Sequence, residues 1–154
     1  MEITHLKKLL QKALLYRLMI NIDRLISEAD IPHATLSLDT GSSKNWFNDA
    51  YNNNEDIRIS SLAKILTVIN ASNKIDDYKV CNLFDENVLS VTDLLIRSSY
   101  EEKYSVSSFI KSDKELFSDL ITDWGLLDAK KKLTSSEKEY LTFIRNLVFE
   151  EENK

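Results

Sequence analysis

The chain has 154 residues and a formal net charge of −5, from 20 Lys and Arg against 25 Asp and Glu. This acidic balance argues against a general nucleic-acid coat, which needs a basic surface. Only two Gly and one Pro are present, so tight turns are scarce and a helical fold is favoured over a β-rich one.

The first predicted element is a long amphipathic helix over residues 4–29. Its apolar side chains recur at spacings of three and four, which is the period of a helix with one buried face. Thr4 is a suitable N-cap residue. The Ile31-Pro32 pair ends the helix, because a residue before Pro avoids the α region.

Three shorter helices are predicted next. The second helix covers residues 32–39, with Pro at its first turn, and the Thr-Gly pair at 40–41 supplies the following turn. The third helix covers residues 44–51 and is capped by one of the two Ser residues before it. The three Asn residues at 52–54 then break the chain, and a fourth helix covers residues 60–69.

The second half of the chain begins with a linker at residues 71–82 or, as the alternative, a short fifth helix at residues 75–84. Three further helices are predicted, over residues 88–101, 106–123 and 135–151. Ser136 and Glu139 have the spacing of a capping box. We therefore predict an all-α fold, with a bundle of four to five helices in residues 1–75 and a small helical domain in residues 76–154. These halves carry net charges of +1 and −6.

The second, third and fourth helices share a further pattern. Leu36 and Phe47 supply a buried apolar pair that holds two short helices at an angle across a Gly-containing turn. The residues that carry the pattern are those at 31–36, 40–48 and 59–66. This third of the chain resembles the Xre/Cro-repressor family of helix-turn-helix proteins, although Ser37 stands where the family usually has Ala.

The resemblance implies that the third helix enters the major groove of DNA while the second contacts the backbone. The residues that it places against DNA are His33, Thr35, Ser43, Lys44, Asn45, Asn48, Asn52 and Asn53. In this interpretation Asn48 pairs bidentately with adenine, and Lys44 reaches guanine or a phosphate.

Aromatic residues are concentrated in the second half, which is too small to bury them all easily alone. Some of them are expected to complete their burial against the first half or against a second chain. We predict a homodimer surface on the last helix, with an internal core as the alternative for the same side chains. The residues concerned are Tyr140, Phe143, Ile144, Leu147 and Val148.

The sequence offers no pattern for catalysis, so we expect no enzyme, cofactor or metal site. His5 and His33 lie in unrelated segments, and no Gly-rich phosphate loop occurs. The single cysteine, Cys81, excludes an internal disulfide and fits a reducing cytoplasm. No apolar run approaches the roughly 18 residues that cross a membrane.

Two functions remain open at this point. The first is a sequence-specific DNA-binding transcription regulator, a dimeric repressor of the phage or mobile-element type. The second is a helix-turn-helix-derived protein-binding module, such as a phage anti-defence protein or antirepressor, that engages a basic protein through its acidic C-terminal half. The polar third helix favours the first function, and the low charge of residues 1–75 favours the second.

Overall fold

The computed structural model describes residues 3–72, 82–98 and 105–149. Every regular element within these ranges is a helix and none is a strand, so the predicted all-α fold is confirmed. The helices are α1 (Ile3–Glu28), α2 (His33–Asp39), α3 (Trp46–Asn53), α4 (Ile59–Ala71), α5 (Glu86–Ser98), α6 (Val106–Ser112), α7 (Lys114–Ala129) and α8 (Ser135–Phe149). No helix in the described ranges is long and apolar enough to span a membrane.

The chain divides into two compact units. The central unit consists of Leu15–Val88, and the terminal unit combines Met1–Leu14 with Leu89–Lys154. The residues of α1 are thus shared between both units. The predicted domain boundary between residues 75 and 76 falls outside the described ranges. The start of the chain groups with the residues after Val88, whereas we predicted that it belongs with the first 75 residues.

The core of the central unit is built from the second part of α1 together with α2, α3 and α4. Its buried side chains are Leu18, Met19, Ile22, Leu25, Ile26, Leu36, Phe47, Ala50, Leu62, Ile65, Ile69 and Leu83. The helical members recur at spacings of three and four along each helix, as expected for an apolar stripe that faces a core. Burial of this apolar surface supplies the main free energy that holds the unit together.

Three helices of the described central unit end at a residue in the left-handed conformation. These residues are Asp30, Gly41 and Asn54, with φ angles of 56°, 84° and 51°. After α2, the N–H groups of Gly41 and Ser42 donate to carbonyl oxygens of the last helical turn at 3.0 and 2.9 Å. This Schellman arrangement satisfies carbonyl groups that the helix end leaves unpaired and turns the chain sharply.

The terminal unit is organised around buried aromatic residues. Trp124 is fully buried, and its indole Nε1–H donates to the backbone oxygen of Leu9 at 2.8 Å. The ring of Phe117 lies 5.9 Å from that of Phe109 and 6.4 Å from that of Trp124. The hydrogen bond from α7 to α1 explains why the first turns of α1 group with the C-terminal helices.

The start of α8 is fixed by a capping box of Thr134 and Glu137, and the prediction of Ser136 with Glu139 is wrong. The Glu137 N–H donates to Thr134 Oγ1, and the Thr134 N–H donates to Glu137 Oε1, both at 3.2 Å. Lys12 Nζ donates to the same carboxylate oxygen at 2.6 Å. Burial alone raises the pKa of the Glu137 carboxyl, but the hydrogen bonds from Lys12 and Thr134 outweigh it and lower the pKa below its ordinary value.

Several predicted helices have different bounds in the structure. The helix predicted at 106–123 is interrupted at Asp113, whose φ of −126° and ψ of 45° separate α6 from α7. The third helix begins and ends two residues later than predicted, at Trp46 and Asn53. Most of the predicted linker at 71–82, and most of the alternative fifth helix at 75–84, lies outside the described residues.

Candidate functional site

Helices α2 and α3 pack directly against each other through an apolar contact. Leu36 on α2 and Phe47 on α3 are fully buried members of the same core cluster, as predicted from the sequence. Ala50 adds a small buried side chain one turn further along α3. This contact fixes α3 against α2 and leaves the other face of α3 at the surface.

Ser37 joins the two helices by hydrogen bonds. Its fully buried hydroxyl donates to the His33 backbone oxygen and accepts from the Phe47 N–H, both at 2.9 Å. The first N–H groups of a helix have no partner within the helix, so they need an acceptor from elsewhere. Asn45 at the N-cap position makes no such side-chain bond. Ser37 therefore caps α3 from the neighbouring helix, which the Ala usual in the resembling family cannot do.

The structure places the predicted recognition residues partly before α3. Ser43, Lys44 and Asn45 lie in the turn that precedes Trp46, so the prediction that they belong to the third helix is wrong. The Trp46 N–H donates to the Ser43 carbonyl oxygen at 3.0 Å, which closes a turn over residues 43–46. Helix α3 therefore begins at Trp46. Asn48 lies on α3, and all four predicted residues are exposed.

The other predicted DNA-facing residues lie on both helices. Thr35 is exposed on α2, whereas His33 is half-buried at its start. Asn52 and Asn53 are exposed in the last turn of α3, so the prediction that they form the turn after the helix is wrong. The left-handed Asn54 alone ends the helix, because one αL residue suffices to close a Schellman turn.

A chain of polar side chains links α1, α2 and α3. His33 Nε2 lies 2.6 Å from Asp23 Oδ1, and His33 Nδ1 lies 3.2 Å from Asn48 Oδ1. The imidazole of α2 is therefore held between a carboxylate of α1 and the side-chain amide of an exposed residue on α3. Of the eight predicted DNA-facing residues, the structure brings His33 and Asn48 into direct contact.

Aromatic rings hold the other edges of His33. Its ring centroid lies 4.9 Å from that of Phe47 and 5.6 Å from that of Tyr51, both in edge-to-face geometry. Burial, and the nearby charge of Asp23, raise the pKa of the Tyr51 hydroxyl. With carboxylate, amide and two rings around it, the imidazole has a defined position despite its partial exposure.

Sequence reasoning missed Asp23 as a part of this site. It lies within the long first helix, where one more charged residue is ordinary, and ten residues separate it from His33. Ser37 did give a signal, since a hydroxyl at a position usually filled by Ala needs a hydrogen-bond partner when buried. No comparable signal in the sequence identifies Asp23.

The predicted dimer surface on α8 is largely internal to the terminal unit. Tyr140, Ile144 and Val148 are buried within the chain, while Phe143 and Leu147 are half-buried. The Tyr140 ring contacts those of His5 and Phe143, and burial raises the pKa of its hydroxyl to about 12. The burial of these side chains within the chain agrees with the alternative prediction, in which they form an internal core.

The central unit is acidic. Residues 15–88 contain seven Lys and Arg against eleven Asp and Glu, a net charge of −4. Between the start of α2 and the end of α3 the sequence has one Lys or Arg, Lys44, against two acidic residues, Asp39 and Asp49. Long-range attraction to a polyanion is therefore weak, and Lys44 is the cation closest in sequence to the exposed face of α3.

Comparison with known proteins gives no relative for this chain. No protein family, no curated protein and no solved structure matches it. Within the described ranges, no group of three or more His, Cys, Asp and Glu side chains is arranged to hold a metal ion.

Proposed function

We propose that the central unit binds duplex DNA sequence-specifically and that the protein regulates transcription as a repressor. The observation that supports this most is the pair α2 and α3, with a fixed contact on one side and exposed polar side chains on the other. Lys44 and Asn45 precede α3, and Asn48 and Asn52 follow on the helix itself. A helix that presents such groups is suited to the major groove.

The chemistry of these side chains matches base edges. An Asn amide carries one acceptor and one donor group, which can pair with N6 and N7 of adenine. The Lys44 ammonium supplies donors for guanine O6 and N7 or for a phosphate.

The charge of the central unit sets a further expectation for this function. Each phosphate that a protein neutralises contributes about −0.9 to the slope of log affinity against log salt. With Lys44 as the cation closest in sequence to α3, we expect a shallow slope and little binding to arbitrary sequences. Affinity then depends on base contacts and on two half-sites bound by a homodimer.

Selection from a random duplex library at low salt tests the proposal. We expect a near-palindromic site for the wild type and its loss in Lys44→Ala/Asn48→Ala. The matched control is Lys8→Ala/Asn146→Ala, which removes the same side-chain types at exposed positions of the terminal unit. Absence of enrichment for the wild type, or equal enrichment for both double variants, contradicts DNA recognition by α3.

The single variants separate the two roles. Lys44→Ala is expected to reduce the salt slope by about one if the ammonium contacts a phosphate, with the preferred sequence unchanged. Asn48→Ala is expected to leave the slope unchanged and to relax the preference at one base pair, on the order of tenfold. An effect of Asn48→Ala on all sequences alike argues that Asn48 acts on folding rather than on recognition.

The net charge of −4 favours a second candidate function. The chain is then a protein-binding module, in the manner of an antirepressor or an anti-defence protein, and its central unit supplies the acidic residues that we predicted in the C-terminal half. Pull-down with the tagged full chain at 50 mM and 500 mM salt tests it. A specific basic partner, retained at low salt and released at high salt, supports this candidate, and its absence together with an enriched DNA site supports the first.

A further inference from the structure

We infer that His33 is a positioning residue that selects which group of the Asn48 amide faces the ligand, so that ligand preference changes with the protonation of His33. The inference rests on the proposed recognition role of α3. It is carried by the contact between His33 Nδ1 and Asn48 Oδ1 and by the anchoring of the same ring on Asp23.

The ring as it stands faces an oxygen at each nitrogen. Nε2 is 2.6 Å from the Asp23 carboxylate and Nδ1 is 3.2 Å from Asn48 Oδ1. Carboxylate and amide oxygens only accept, so this arrangement uses both N–H groups of the protonated imidazolium. In that state the Asn48 oxygen is held by the ring, and its NH₂ group is the part of the amide directed away from it.

The neutral ring requires the opposite arrangement. It has one N–H, and the carboxylate of Asp23 retains it on Nε2 because that bond is the shorter and charge-assisted one. Nδ1 then presents a lone pair, which repels an amide oxygen and accepts from an amide NH₂. Rotation of the Asn48 amide by half a turn places its NH₂ group against Nδ1, and the amide oxygen is then directed outward.

The surroundings confine this change to the amide. The titratable side chains that contact the His33 ring include Asp23 on α1 and Tyr51 on α3. Burial and the Asp23 charge keep Tyr51 protonated at neutral pH. Phe47 and Tyr51 hold the ring edge-on, so the ring itself has little room to rotate. The Asn48 side chain is exposed, so its amide has room to rotate.

The recognition consequence follows from the base edges. An outward NH₂ group donates to purine N7 or guanine O6, whereas an outward oxygen accepts from adenine N6 or cytosine N4. We therefore expect the preferred base pair opposite Asn48 to differ on the two sides of the His33 titration, on the order of tenfold in relative affinity. Histidine charge changes fall between about pH 5 and pH 8, which sets the range to be compared.

The first test uses the free ¹⁵N-labelled full chain and needs no DNA. We expect the Asn48 side-chain amide resonances to move with pH at the midpoint of the His33 ring nitrogens. His33→Gln should abolish that movement, and His5→Gln, the matched control in the terminal unit, should leave it intact. An Asn48 amide that does not respond while the His33 ring changes its protonation overturns the inference.

The second test repeats the random-library selection at pH 5.5 and pH 8. A preferred base pair that changes at one position in the wild type, and does not change in His33→Gln, supports the inference. An enriched site identical at both pH values overturns it while leaving DNA binding in place. No enrichment at either pH counts against the proposed function itself, and the resonance test then decides the amide rotation independently.

Discussion

Replacing Ser37 with Ala removes the cap that α2 provides for α3. The hydroxyl accepts from the Phe47 N–H and donates to the His33 carbonyl, each at 2.9 Å. The His33 carbonyl belongs to the first turn of α2 and keeps its helical role as an acceptor. The Phe47 N–H, in contrast, loses its partner in a buried environment, so the cost of the substitution lies there.

The size of the effect follows from that single orphaned group. A buried donor without a partner costs about 1–3 kcal/mol, and deletion of one oxygen atom adds little cavity cost. With a urea dependence of about 2 kcal/mol per M, a loss of about 2 kcal/mol lowers the unfolding midpoint by about 1 M. We expect a shift of that size for the central unit.

Hydrogen exchange followed by NMR is the appropriate assay, because Trp46 and Trp124 report on different units and mix in fluorescence. The Phe47 amide should lose most of its protection in Ser37→Ala, and other core amides of the central unit should lose protection to a smaller extent. Ser43→Ala, at an exposed serine of the same connection, is the control. Equal protection of Phe47 in the two variants refutes the capping argument.

Four further substitutions test other features of the fold. Glu137→Gln keeps the capping box but removes the ion pair, and we expect a loss of about 1–2 kcal/mol at pH 7 in urea unfolding. Because the pKa of the Glu137 carboxyl is lowered in the folded state, this contribution is complete above pH 4.5 and is lost as pH falls through the folded-state pKa. The stability curves of the wild type and Glu137→Gln should therefore converge in acid. Curves that stay parallel, or an equal effect of the exposed control Glu139→Gln, contradict this prediction. Lys131→Gly, at a left-handed residue with φ 60°, should raise stability by about 0.5–1 kcal/mol, and an unchanged or lower melting temperature counts against strain there. Gly125→Ala should stabilise α7 by about 1 kcal/mol, since the added Cβ meets Arg145 at an ordinary 3.7 Å. Gly41→Ala, at φ 84°, should cost about 1–2 kcal/mol. Calorimetry in which Gly41→Ala melts above Gly125→Ala contradicts both.

The sequence predicted the features that depend on periodicity. Apolar residues at helical spacing predicted an all-α fold, and the burial of Leu36 and Phe47 followed from their place in that pattern. The same periodicity hid the break at Asp113, because Phe109, Ile110 and Phe117 continue the apolar stripe on both sides of it. A pattern of buried positions does not record whether the backbone between them is continuous.

The cap of α8 shows why another prediction was wrong. Thr134 with Glu137 and Ser136 with Glu139 both satisfy the spacing of a capping box, so local sequence does not choose between them. The choice is made by Lys12, which donates to Glu137 from a residue more than a hundred positions earlier in the chain. The link between Asp23 and His33 was missed for the same reason, since it depends on how α1 and α2 meet.

Polar links between α2 and α3 define the rotation of α3 about its axis more narrowly than the apolar contact does. Burial of Leu36 and Phe47 decides which face of α3 turns inward, but it is non-directional, so small rotations of α3 about its axis cost little. The hydrogen bond that the Phe47 N–H donates to the Ser37 hydroxyl is buried, and the one between His33 and Asn48 is exposed; both are directional. Together they fix the rotation of α3 and hence the side chains that it presents. The proposed recognition of DNA by α3 requires such a fixed rotation, so the exposed face of α3 is where substitutions test that proposal.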